Sequence, residues 1–110
     1  MKVLAIIDLK PSVDPDTVRE QLPREIQGSW ELFTAGVLRE AYATSAPSRV
    51  IFVLEADSAS AADAHLQGLP LVAGGLLHVE LIELRPFANW SAPVHALSGH
   101  HLARVARAVC

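Results

Sequence analysis

The sequence has few of the features that mark membrane, disulfide-bonded or nucleic-acid-binding proteins. Its one cysteine, Cys110, excludes an intrachain disulfide and a cysteine-based zinc site. No apolar run reaches the roughly 18 residues of a membrane span, and the most apolar stretch, 69–77, is interrupted by Pro70 and two glycines. Nine Lys and Arg residues stand against twelve Asp and Glu, with no basic cluster among aromatics. We therefore expect neither a membrane nor a nucleic acid as a partner.

Apolar residues are what the chain has in abundance. They make up 51% of only 110 residues, and the mean hydropathy is +0.30, which is high for a small monomer. This length suits one domain. The first ten residues resemble a signal peptide only superficially, because Asp8 and Lys10 interrupt the apolar stretch and no cleavage site follows. They are interpreted as a strand, and we expect a cytoplasmic protein.

The first half of the chain predicts a strand followed by a helix. Residues 3–9 are almost continuously apolar, as in a strand covered on both faces. The tripeptide 14–16, Asp-Pro-Asp, supplies an N-cap, a proline in the first turn and an acid, so a helix should begin near residue 15. Pro23 and Gly28 predict either one kinked helix or two helices. The apolar stripe consists of Val18, Leu22, Ile26, Trp30 and Phe33.

The second half predicts a hairpin, a helix and a last strand. Runs 37–44 and 49–56 flank a turn at 45–48, and Asp57 or Ser58 can cap a helix that ends near Pro70. Residues 76–84 form the last strand. The order βαββαβ indicates an α+β, ferredoxin-like fold with an antiparallel sheet over residues 1–86. Residues 87–110 are predicted to be a C-terminal extension, containing a short helix from Leu97 or disordered.

The two faces of the predicted strands differ in polarity, because side chains alternate along a strand. One face of the first, third and last strands is wholly apolar and should meet the helices. The second face is still mostly apolar but carries Asp8 in the first strand, Glu55 in the third, and His78 and Glu80 in the last. Exposed apolar area of this kind usually marks an interface. The sequence therefore predicts a homodimer, or a higher homo-oligomer built from such dimers, whose sheets meet face to face around these ionisable groups.

Several short motifs resemble a known family. They are the tripeptides at 30–32 (Trp-Glu-Leu), 69–71 (Leu-Pro-Leu), 79–81 (Val-Glu-Leu) and 84–86 (Leu-Arg-Pro), together with Ser58. Over about residues 1–90 the chain resembles the muconolactone isomerases and their relatives in the dimeric α/β-barrel superfamily. The resemblance implies two ferredoxin-like protomers packed sheet to sheet. It also implies an intramolecular proton shift on an unsaturated lactone, with no metal or organic cofactor.

Moving a proton next to a carbonyl requires a base and a partner for the developing enolate. We interpret Glu80 or His78 as the base and Arg39 or Tyr42 as the electrophilic partner. Structural roles are the alternatives: an ion pair between Glu80 and Arg39, and a half-buried, hydrogen-bonded His78. The residues expected to contact a small hydrophobic substrate are Trp30, Phe33, Glu55 and Asp8. The alternative for Trp30 and Phe33 is a position in the hydrophobic core.

Two other functions fit the same sequence. One is a non-catalytic ligand-binding or assembly module, and the other is a small monooxygenase, cofactor-free or haem-dependent. No metal site is predicted, because His95, His100 and His101 lack further ligands at suitable spacing. Trp90 has two equally good interpretations, as a lid over a cleft and as an anchor for the extension.

Overall fold

The computed structural model describes residues 1–87, which contain four strands and three helices. In chain order these are β1 (Lys2–Leu9), α1 (Pro15–Thr34), β2 (Leu38–Ser45), β3 (Ser48–Glu55), α2 (Ala59–Leu66), α3 (Pro70–Ala73) and β4 (Leu77–Glu83). The strands form an antiparallel sheet in the order β2-β3-β1-β4. The predicted α+β, ferredoxin-like architecture is confirmed.

The α1 helix begins where the sequence predicts it. The Asp14 carboxylate accepts a hydrogen bond from the Asp16 N–H at 3.1 Å, and Pro15 occupies the first turn. Of the two alternatives at Pro23, the structure has one continuous helix that runs through it to Thr34. The chain then reverses at Gly36, whose φ of 79° lies in the left-handed region that favours glycine.

The second predicted helix is divided into two. The Ser58 hydroxyl caps α2 by accepting a hydrogen bond from the Ala61 N–H at 3.0 Å. The helix ends at Leu66, and Pro70 opens the single turn of α3. Ala62, Leu66 and Leu69 are buried, as their spacing predicts.

The core lies between the sheet and the helices. It is built from the wholly apolar strand face and from α2, α3 and the turn between them: Val3, Ala5, Ile7, Leu38, Leu54, Ala62, Leu66, Leu69, Leu71 and Val72. None of the described residues of α1 is buried. The long helix therefore covers the sheet incompletely: Leu32 packs against the core and Gly28 lies close to Leu69, but the apolar stripe is still partly open to solvent.

The opposite face of the sheet, here called the outer face, is left uncovered by the helices. The cross-strand register aligns its residues in rows: Tyr42 lies opposite Ile51, Ile51 opposite Ile6, and Ile6 opposite Glu80. The next row contains Glu40, Val53, Leu4 and Ile82. The outer face is thus an apolar strip with ionisable groups at its edges, as the alternation of side chains predicts.

The predictions for Trp90, His95, His100, His101 and the helix from Leu97 lie outside the described residues.

Candidate functional site

A cleft of about 360 Å³ opens between α1 and the apolar face of the sheet. Most of its lining is aliphatic or aromatic, and the polar exceptions are Glu25, Asp8, Arg49 and Ser48. The apolar lining residues are Ile7, Leu9, Val18, Leu22, Val50, Phe52, Leu71 and Leu77. An apolar cleft with a few polar groups is typical of sites for small ligands. The cleft lies under the first half of α1, since its lining residues on that helix are Val18, Leu22 and Glu25.

Glu25 is the ionisable group on the helix side of the cleft. Its side chain is half-buried, and its Oε1 accepts a hydrogen bond from the Leu71 backbone N–H at 2.8 Å. Burial raises the pKa of the Glu25 carboxyl above its usual 4.5, and the Leu71 hydrogen bond opposes part of that shift. A carboxylate whose proton affinity is raised in this way suits proton transfer near neutral pH better than an exposed one.

Arg49 is the positive charge at the cleft. It lies near the beginning of β3, next to Ser48, and its Nε donates to the Asp8 Oδ1 at 3.1 Å. Both side chains are part-exposed, so the pair contributes little to stability. The planar guanidinium nevertheless has other N–H groups besides Nε, which are the kind that bind carboxylate or enolate oxygens. The cleft therefore combines an apolar body with the Glu25 carboxyl group, and the Asp8–Arg49 ion pair lies at its rim, at strand positions that alternate with the inward-facing Ile7 and Val50.

Four of the residues predicted from the sequence lie on or around the outer face, away from the cleft. His78 and Glu80 are exposed on the edge strand β4, and Tyr42 is exposed on the opposite edge strand β2. The Tyr42 hydroxyl donates to Glu40 Oε1 at 2.6 Å, which raises the Tyr42 pKa. Glu55 pairs with Lys2 Nζ at 3.1 Å and with the N-terminal amine at 2.8 Å.

These contacts define the charge states around the outer face. The amine and Lys2 hold the pKa of Glu55 down at about 2, so Glu55 is an anion in its ion pairs rather than a free base. Arg39 lies on β2 and Glu80 on β4, at opposite edges of a four-stranded sheet and so at least about 14 Å apart. Within one protomer they do not form the ion pair that was the structural alternative for them.

Trp30, Phe33 and Arg39 come together elsewhere, in a groove between the second half of α1 and β2. The two rings are stacked with centroids 5.3 Å apart. Within residues 1–87 they are not core residues, since Trp30 is 58% exposed and Phe33 48%. The structure thus divides the predicted site residues among three places. Asp8 lies opposite His78 on the outer face, as predicted, and also lines the rim of the cleft. Trp30, Phe33 and Arg39 line the groove, and Glu55, His78, Glu80 and Tyr42 belong to the outer face.

Sequence reasoning missed Glu25 and Arg49. A signal for Glu25 was present, because it follows Val18 and Leu22 at helical spacing and so places a carboxylate on the apolar stripe of α1. Arg49 carries no such signal, because its proximity to the cleft depends on the pairing of β1 with β3. Among residues 1–87, no group of His, Cys, Asp and Glu side chains is arranged to hold a metal ion.

The raised pKa of Glu25 predicts how stability changes with pH. The unfolded carboxyl ionises near 4.5, before the folded one, so ionisation favours unfolding as the pH rises. Glu25→Gln keeps an acceptor for the Leu71 N–H and removes this penalty. The variant should gain stability relative to the wild type as the pH rises from 4 to 8, measured as the free energy of unfolding in urea. The control is Glu20→Gln, which removes an exposed charge from the same helix, and an equal gain in both variants would contradict the assignment.

Comparison with known proteins supports the fold. No protein-family model and no curated protein matches the sequence. Among solved structures, the chain is similar to a crystal structure of muconolactone isomerase, with a TM-score of 0.65 and 19% sequence identity over 89% of this chain and 97% of that one. No helix within residues 1–87 has the length and apolar character to cross a membrane. The chain therefore has a muconolactone isomerase-like fold, as the sequence motifs indicate.

Proposed function

We propose that this protein is a cofactor-independent isomerase that moves a proton within a small unsaturated lactone or carboxylate bound in the cleft. The observation that carries the proposal is the half-buried Glu25 carboxyl, whose raised pKa and position in an apolar cleft suit a base that both takes and returns a proton. The similarity to muconolactone isomerase supports the same reaction class.

The reaction balances without any added oxidant or metal. The Glu25 carboxylate removes a proton from the saturated carbon at the far end of the conjugated C=C–C=O system, and the C–H electron pair becomes part of a dienolate. The resulting Glu25 carboxylic acid returns the proton to the carbon next to the carbonyl, which moves the double bond and regenerates the carboxylate. The negative charge that develops on the carbonyl oxygen would be stabilised by the Arg49 guanidinium at the rim of the cleft.

The cleft also accounts for why a small, mostly apolar ligand would bind. Its aliphatic and aromatic lining stabilises a ring by burying apolar area, at about 25 cal/mol per Å². The part-exposed Arg49 leaves N–H groups for a carboxylate on the ligand, since only its Nε is used by Asp8.

The activity test compares two carboxylates in one protein. With muconolactone as the first substrate, turnover is followed by the change in ultraviolet absorbance and by uptake of deuterium from D₂O into the product. Glu25→Gln should lower kcat by about 100-fold or more, because it removes the general base. Glu80→Gln, on the outer face, should keep most of the activity. The acid limb of the wild-type rate profile should lie above pH 4.5, since the rate needs ionised Glu25.

Other results of the same assay favour the other functions. Turnover lost in Glu80→Gln but kept in Glu25→Gln would overturn the assignment of the base and favour Glu80. Binding of the lactone without turnover or deuterium uptake would favour a non-catalytic ligand-binding module. Oxygen consumption with a quinol, or a new Soret band with haem, would favour a monooxygenase.

We also infer that the protein is a homodimer in which the outer faces of two protomers meet. The outer face carries a continuous apolar strip, Leu4, Ile6, Ile51, Val53 and Ile82, that the helices of its own protomer do not cover. A partner sheet would remove this strip from water. It would also enclose Tyr42, His78 and Glu80, so that any role they have in catalysis requires the dimer.

The dimer has a matched pair of test variants. Light scattering of the wild type at micromolar concentration should give at least twice 11.8 kDa. Ile82→Asp places a charge on the outer face at a position that is 38% exposed in the protomer, so the protomer should still fold but the mass should fall toward 11.8 kDa. Ile26→Asp makes the same change on α1 and should leave the mass unchanged. A monomeric wild type would contradict this inference.

A further inference from the structure

The apolar stripe of α1 forms a second uncovered surface, on the helix side of the molecule. Ile26, Trp30 and Phe33 follow one another along the helix at spacings of three or four residues, and we call them the α1 ridge. They are 59%, 58% and 48% exposed. Within residues 1–87 the ridge is flanked by the groove that Leu38 and Arg39 help to line, and no element covers it.

We propose that residues 88–110 of the same chain cover the α1 ridge. The segment begins after Phe87 and contains 23 residues, which is long enough for an element and a linker. Its apolar residues Leu97, Val105 and Ala108, with His101, repeat at helical spacing, the pattern of a segment that packs on a surface through one face. In the dimer inferred above the second copy of the chain packs on the outer face, so it does not cover the α1 ridge.

The position where the described chain ends makes the contact reachable. Leu38, Leu54, Val3 and Glu83 lie opposite one another across the sheet, so β4 ends at the same end of the sheet as the groove beside Trp30 and Phe33. The three strand spacings between β4 and β2 amount to about 14 Å. Residues 88–96 alone can span about 30 Å when extended. A tethered segment also has a local concentration of the order of millimolar, which favours it over a free partner.

The C-terminal segment and the domain also carry opposite net charges. Residues 1–87 carry seven Lys and Arg against twelve Asp and Glu, whereas residues 88–110 contain Arg104 and Arg107 and no acidic residue. Glu40 lines the groove beside Arg39, and Glu31 follows Trp30 on α1 as a second exposed acid. A basic segment with an apolar face therefore matches an apolar ridge on an acidic domain better than another copy of that domain would.

The chain supplies its own probes for a test in the full-length protein. Trp90→Phe leaves Trp30 as the only tryptophan, and quenching of its fluorescence by acrylamide measures its access to solvent. If residues 88–110 cover the ridge, quenching should rise several-fold in Leu97→Asp/Val105→Asp, which places charges on the predicted apolar face of the segment. Leu102→Asp, which lies off that face, is the matched control and should leave quenching unchanged.

A second measurement does not depend on tail substitutions. Cys110 is the only cysteine, so a nitroxide attached to it should broaden the NMR signal of the Trp30 indole N–H if the segment lies on the ridge. Absence of broadening would overturn the proposal. Quenching that is equal in all variants would also overturn it. Protection of Trp30 that is lost on dilution but indifferent to the tail variants would overturn it in favour of a second copy.

Discussion

The hydrogen bond of 2.8 Å from the Leu71 N–H to the Glu25 carboxylate joins α3 to α1. None of the described residues of α1 is buried, so this polar contact is one of the few that fix the helix in place. The second half of α1 packs on the core through Gly28, which lies close to Leu69, and through Leu32, whereas the cleft separates its first half from the sheet. The same contact holds a carboxyl group at the border of an apolar volume, where burial raises its pKa. Local packing and the proposed chemistry therefore depend on one interaction.

The whole protomer also leaves apolar surface exposed that a larger core would bury. Its core is small and lies mainly between β1, β3 and the short helices, while the outer face and the α1 ridge leave apolar area in water. Each uncovered surface costs free energy in the isolated protomer, and each is removed from water by a different inferred contact. The sheet-to-sheet dimer and the C-terminal segment are thus complementary consequences of an unusually apolar chain.

Much of the fold follows from local patterns in the sequence, and the site does not. Sequence alone predicts the start of α1 at Asp14-Pro15, the Ser58 cap and the alternating burial of β1, because each is decided by residues that are near in sequence. Trp30 and Phe33 were expected in the core or at a substrate, since spacing shows that a helix has an apolar stripe but not what packs against it. Arg49 reaches the cleft through strand pairing between residues about 40 positions apart.

The central claim is that small ligands bind in the cleft beside Glu25, and mapping by NMR tests it most directly. A saturated lactone carboxylate, which binds but has no double bond to move, is titrated into ¹⁵N- and ¹³C-methyl-labelled protein. The account predicts that the largest shift changes fall on Leu22, Val50, Leu71 and Leu77 around the cleft. Shift changes confined to Ile6, Ile51 and Ile82 on the outer face, or none at millimolar ligand, would contradict it.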